Sequence, residues 1–186
     1  MFNKFIAAIL PYFPKKFVWI FSKSYVSGET INDAMRVSKD LNRRNILVTI
    51  DVLGEFISNL DEAEANKQEY LDVIEVSQKN GIRGNYSVKP TSFGLLIDKE
   101  VCYRHIREIV ARAASNNNFI RIDMEDSPCT SLEIELFRRL KTEFPANVGL
   151  VVQAYLKRTL DDIKSLADLN SEAVPLSFRL CKGIYV

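Results

Sequence analysis

Six polar residues, Asp51, Lys89, Asp123, Gln153, Arg179 and Lys182, stand at or near the carboxyl ends of short apolar runs. ILVTI precedes Asp51, NYSV precedes Lys89, FIRI precedes Asp123 and VGLVV precedes Gln153, while LSFRLC holds Arg179 and leads to Lys182. Singly, each has an ordinary explanation, because loops are polar and a lone lysine after a strand is usually solvated. Together they supply two carboxylates, two or three cations and an amide. In a pocket shielded from water, such a set can pair a charged substrate and offer hydrogen bonds in both senses. A lysine and a carboxylate at neighbouring strand ends also suit Schiff-base chemistry of the aldolase type, with Lys89 as nucleophile beside Asp123.

These residues share a pocket only if the fold brings the strand ends together. From Gly28 onward the chain alternates between two rhythms. Thr30 opens a helical pattern through Ile31, Ala34, Met35, Ser38 and Leu41, and 46–50 is a nearly continuous β-branched run. Further helical patterns run from about Asp61 to an Asn80-Gly81 stop, from Asp98 to Asn116-Asn117-Asn118, from a Ser127 cap with Pro128 behind it, and from a Thr159 cap through Leu169. Extended runs at 85–88, 119–122, 148–152 and 176–181 lie between them. Apolar strands alternating with amphipathic helices predict a parallel sheet of βα units, and intervals of about 25–40 residues fit one unit each. All carboxyl ends of such a sheet lie on one face, where these folds carry their sites. No GxGxxG follows the first strand and no GxxxxGK[ST] occurs, which favours a barrel over a doubly wound nucleotide-binding sheet.

At 186 residues the chain suits one domain. Twenty-five Lys+Arg against 24 Asp+Glu leave a net charge of +1, which excludes a general electrostatic grip on nucleic acid. Three cysteines and one histidine without CxxC spacing argue against a disulfide framework or a Cys/His zinc site, and for a reducing, cytoplasmic setting. Residues 1–27 form a separate apolar and basic segment. Pro11, Pro14 and the Lys15-Lys16 pair interrupt it short of the roughly 20 residues that span a bilayer, and it lacks the features of a signal peptide. Short helices packing on the domain are expected there. The alternative is a peripheral contact with the inner face of a membrane, or with a partner, through Phe13, Phe17, Trp19, Ile20 and Phe21.

FSKSYVSGET, VTIDVLGE, SVKPTSFG, IRIDMEDSP, GLVVQAYLKRT and FRLCKGIYV occur in this order from about Ser22 to the last residue. The set resembles the flavin-dependent proline dehydrogenase family of the monofunctional bacterial type. The resemblance implies a (βα)8 TIM-like barrel carrying FAD, with about the first five βα units in residues 28–186. It implies oxidation of L-proline to 1-pyrroline-5-carboxylate, with hydride passing to flavin N5 and electrons to a quinone. Only five strand-like runs precede Val186, so the chain is expected to be the amino-terminal portion of a longer enzyme. The last strands and the arginine pair that the family uses for the substrate carboxylate would then lie elsewhere. An open five-stranded sheet would expose an apolar edge and hold FAD weakly. An inactive fragment serving as an interaction module is the remaining alternative; oligomeric state is not legible.

By the same resemblance, Arg179 stands beside flavin N5, where a cation favours negative charge arriving with the hydride. Lys182, Gly183 and Ile184 match the turn that touches FAD, Lys182 meeting phosphate charge and Gly183 allowing close backbone approach. Gln153 matches the residue bonded to the flavin ring. Met124 contributes ring contacts, with a plain core methionine as the alternative. Asp123 is the carboxylate at the bottom of the site, Lys89 faces the substrate carboxylate, and Asp51 helps set the polar network. Glu125 and Asp126 are expected to be loop or helix-start carboxylates, and His105 a structural histidine.

Overall fold

The computed structural model describes residues 26–28 and 30–183. The expected amino-terminal helices and Ile184 lie outside the described residues. Helix α1 (Ile31–Arg43) begins where the Thr30 hydroxyl accepts the Asp33 N–H, and leads to strand β1 (Val48–Asp51). Helix α2 (Leu60–Lys79) is capped by Asn59 and ends at Asn80, after which Gly81 takes φ +64. Strand β2 (Gly84–Val88) follows, then a 3-10 turn at Pro90–Phe93 and helix α3 (Lys99–Ser115), capped by Asp98. Strand β3 (Ile120–Ile122), helix α4 (Ser127–Glu143), strand β4 (Val148–Gln153), helix α5 (Thr159–Ser165) and strand β5 (Phe178–Cys181) complete the alternation.

Several boundaries differ from the sequence reading. Asp126, not Ser127, caps α4, because its carboxylate reaches the Ser127 N–H and puts Ser127 inside the helix. Thr159 is the first residue of α5 and caps nothing, since its hydroxyl is turned back to donate to the Gln153 carbonyl at 2.5 Å. The helical pattern expected to run on to Leu169 breaks after Ser165 into a 3-10 turn at Ala167–Leu169. Strand pairing starts at Val48, two residues later than expected, because the Ile46 N–H is still tied to the Leu41 carbonyl of α1.

All five strands are parallel and lie in the order β1-β2-β3-β4-β5. Each unit adds on the same side of the last, as in a barrel; a doubly wound sheet reverses direction. Alternate residues along each strand face opposite ways. One set, Tyr86, Val88, Ile120, Ile122, Val148, Leu150 and Val152, is buried. It forms a single core with Tyr70 and Ile74 of α2, Ile106, Ile109 and Val110 of α3, and Phe137 and Leu140 of α4. The outward residue of β5, Leu180, is 68% exposed, although its register partner Val152 is 3% exposed. Phe178, on the same face, packs against the core, so the cover over β5 ends before Leu180.

The inner set is polar. Thr49 of β1 donates its hydroxyl to Asn85 of β2 at 2.9 Å. Arg121 of β3 crosses β4 to reach the Ser177 hydroxyl at 3.1 Å, its guanidinium 4.9 Å from the Phe119 ring centroid. Gly149 makes that crossing possible: a Cβ there would lie 2.7 Å from Arg121 Nη1, from Phe119 and from the Ser177 carbonyl oxygen. Gly149→Ala should therefore cost about 1–3 kcal/mol, an overpacking penalty that includes backbone. The check is the urea unfolding midpoint, and an unchanged midpoint would mean that β4 and β5 are not this close.

Candidate active site

The carboxyl ends of the strands bring the sequence-predicted residues together. Arg121 pairs in register with Gly149, and Val151 with Arg179, so Asp123, two residues beyond Arg121, falls in the row of Val151 and Arg179. Arg179 reaches across β4 and donates from Nη2 to Asp123 Oδ1 at 2.7 Å. The same oxygen accepts the Ser87 hydroxyl at 2.5 Å. On the β1 side, the Lys89 ammonium forms an ion pair with Asp51 Oδ2. Burial tends to lower the pKa of Lys89, but the Asp51 hydrogen bond and charge, with Asp123 and Glu125 nearby, outweigh it and the net shift is upward.

Tyr70 links the two ends of this array. Its hydroxyl, buried on α2, lies 2.6 Å from the Ser87 carbonyl and 3.2 Å from Asp51 Oδ1, and accepts the Val52 N–H at 3.2 Å. Burial, and then the Asp51 charge, hold the phenol well above its usual pKa, so it remains protonated and can donate. Contacts thus run without a break from Lys89 through Asp51, Tyr70, Ser87 and Asp123 to Arg179.

Gln153 closes the β4 end. It is 2% exposed, and its Nε2 donates to the Met124 carbonyl at 2.7 Å. Its Oε1 is buried and has no hydrogen-bond partner among the described residues. Gly183 lies directly against it with φ +78, and a Cβ there would come within 2.3 Å of Oε1. The glycine therefore makes room for the Gln153 amide. Met124 is 6% exposed and its side chain belongs to the core, so the part of it that touches this end of the site is its carbonyl. Lys182 is exposed, and its carbonyl accepts the Tyr155 N–H at 2.9 Å.

A family model described as proline dehydrogenase matches residues 34–186. The chain belongs to the proline dehydrogenase family. It is 34% identical over 164 residues to proline dehydrogenase 1 of Bacillus subtilis strain 168, covering 88% of this chain and 52% of that protein. To proline dehydrogenase of Deinococcus radiodurans it is 34% identical over 173 residues, covering 91% and 54%. The chain spans about half the length of the curated relatives it matches. It superposes with a TM-score of 0.80 on the crystal structure of proline utilization A (PutA) from Bdellovibrio bacteriovorus inactivated by N-propargylglycine, at 25% identity, covering 91% of this chain and 21% of that one. The five strands and their helices thus match part of a (βα)8 barrel of the kind that structure contains.

Glu125 lies in the loop just before α4, as expected, but it is not a solvated carboxylate. It is 2% exposed, accepts the Thr91 N–H at 2.9 Å and the Thr91 hydroxyl at 2.6 Å, and gives its own N–H to the carboxyl of Glu133, at 3.1 and 3.2 Å from its two oxygens. Sequence reasoning missed Tyr70 and Ser87 in the charged array, and the buried set of Thr91, Glu125 and Glu133 beside it. The PTS and MED segments flanking the recognised lysine and aspartate offered a signal for Thr91 and Glu125; Tyr70 and Glu133, on helices, had none. His105, on α3, turns its Nε2 toward Glu64 of α2 at 3.2 Å and is not among these strand-end residues.

Burial, then the neighbouring Glu125 charge, raise Glu133 to about 9 against the partial opposition of the Glu125 N–H. A carboxyl held above its ordinary 4.5 binds its proton more tightly in the folded state. Its stability contribution is fully present below about pH 4.5 and is lost as pH rises toward 9, by up to about 1.4 kcal/mol per pH unit. Glu133→Gln retains an acceptor for the Glu125 N–H and should flatten that slope. Urea unfolding at about pH 6 and about pH 8 measures it: the parental protein should lose more stability over the interval than the variant. Equal slopes would contradict a protonated Glu133.

Proposed function

We propose that this chain supplies the first five strands, with the helices between them, of an enzyme that oxidises L-proline to 1-pyrroline-5-carboxylate, with FAD as its resident cofactor and a quinone as electron acceptor. The observation that carries the reading is the array of paired charges and a buried amide along the strand ends of a family member. FAD, when bound, supplies the acceptor for the substrate hydride. The residues at the β4 and β5 ends suit that group. Gln153 keeps a buried oxygen without a protein partner among the described residues, Gly183 lies against it without a side chain, and Arg179 is exposed on the inner face. Gln153, Arg179, Lys182 and, by resemblance, Met124, Gly183 and Ile184 would hold the cofactor.

Lys89 would meet the substrate carboxylate. Until then Asp51 shares its charge, so the ammonium is kept in place without standing alone. Asp123 holds the Arg179 guanidinium above Val151 and is itself fixed by Ser87. The Met124 carbonyl orients the Gln153 amide. A Schiff-base lysine must be deprotonated to attack, and the Asp51 pair pushes Lys89 the other way, which disfavours the aldolase-type reading. A quinone acceptor would place the enzyme in the cytoplasm at the inner face of the membrane, with residues 1–27 as the peripheral contact. No described helix is long and apolar enough to cross a membrane.

Two substitutions in the full-length protein test the division of roles. Lys89→Met should leave the flavin spectrum intact and raise KM for L-proline. The Lys89 side chain keeps 21% of its exposure, so the loss should fall at the lower end for a broken buried pair, about 3 kcal/mol or about a hundredfold. An analogue without a carboxylate should bind the variant and the parental enzyme alike. Arg179→Met should slow flavin reduction and weaken flavin retention. Stopped-flow reduction with both ligands decides it: if Lys89→Met weakened the two equally, or stripped the flavin, Lys89 would not be the carboxylate's partner.

A further inference from the structure

One buried carboxylate outside the charged array joins three loops. Thr91, two residues beyond Lys89, gives both its backbone N–H and its hydroxyl to Glu125, two residues beyond Asp123. The Thr91 hydroxyl in turn accepts the Phe56 N–H at 3.1 Å, in the loop that follows β1. That loop is otherwise exposed: Leu53 is 89% accessible, and Phe56 stands in the left-handed region at φ +53. The Ser92 hydroxyl adds a bond to the Gly54 carbonyl at 2.6 Å, and Asn66 of α2 holds the Ser92 carbonyl at 2.8 Å. A carboxylate accepts at two oxygens and donates at neither, so it can hold both Thr91 donors at once and leave the hydroxyl oxygen free for Phe56. Pro90, between Lys89 and Thr91, has a ring-fixed φ, so the hold on Thr91 is passed to the Lys89 backbone.

We propose that Glu125 and Thr91 are positioning residues whose clasp sets where Lys89 and the loop after β1 stand relative to Asp123, and thereby tunes the affinity of the site for the substrate carboxylate. The inference rests on the functional reading above for its substrate, and on the hydrogen bonds alone for its geometry. It acts before chemistry, on binding, because neither residue is part of the contact chain from Lys89 to Arg179.

Amide hydrogen exchange and steady-state kinetics on the full-length protein test it together. In the parental protein the Phe56 amide should be protected despite its exposed loop. Thr91→Val, which keeps shape and removes the hydroxyl, should abolish that protection and raise KM for L-proline about fivefold to tenfold, with kcat within about twofold. Thr91→Ser, which keeps the hydroxyl, should restore both. An unprotected Phe56 amide in the parental protein overturns the clasp without recourse to any variant. So does a Thr91→Ser variant no better than Thr91→Val, or a fall in kcat at unchanged KM. If the parental enzyme does not oxidise L-proline at all, the functional reading fails while the exchange result still decides the clasp.

Discussion

A charged group at the end of a half-buried strand must find an opposite charge or give up its own, and that requirement organises the carboxyl face of this sheet. Asp123 finds Arg179 two strands away, and Lys89 finds Asp51 on the neighbouring strand. Each pair bridges different strands, so the pairs act as cross-ties between βα units as well as neutralising charge. Tyr70 and Ser87 join them into one array. The cost of desolvating each ion is thereby shared with hydrogen bonds that satisfy its remaining lone pairs. The same array leaves Arg179 exposed on the inner face, available to a bound group without having to break free of the core.

Beneath it, the helices do conventional work. Their apolar stripes bury the outward strand residues, and nearly all of this follows from simple periodicity. Short apolar runs mark every described strand, period-3.6 patterns mark the helices, and the polar strand ends mark the face that matters. Capping residues were read well where a side chain stood alone before the pattern, as at Thr30 and Asp98. They are misplaced where two candidates compete, as with Asp126 and Ser127, and at Thr159, whose hydroxyl is taken by the Gln153 carbonyl.

What stayed hidden depended on contacts between residues distant in sequence. Glu133 occupies a helix position where a carboxylate ordinarily meets solvent, and only the packing of α4 against the β3 end shows it to be fully buried. Tyr70 reads as one more apolar helix residue until its hydroxyl is seen between β1 and β2. Gly183 was legible as a place of close approach, but the partner is the Gln153 amide, a residue 30 positions earlier. Period and spacing reveal which way a residue faces; they do not reveal what waits there.

The crossing of β4 by Arg121 has a consequence for how such sequences drift. Two of the contacts that forbid a side chain at Gly149 come from side chains, Arg121 and Phe119, and those can shorten. The third is the backbone carbonyl of Ser177, which no substitution removes while β4 and β5 remain paired. The dependence is therefore one-way. Losing the arginine leaves the glycine's surroundings legal, whereas adding a side chain at 149 stays costly with or without the arginine.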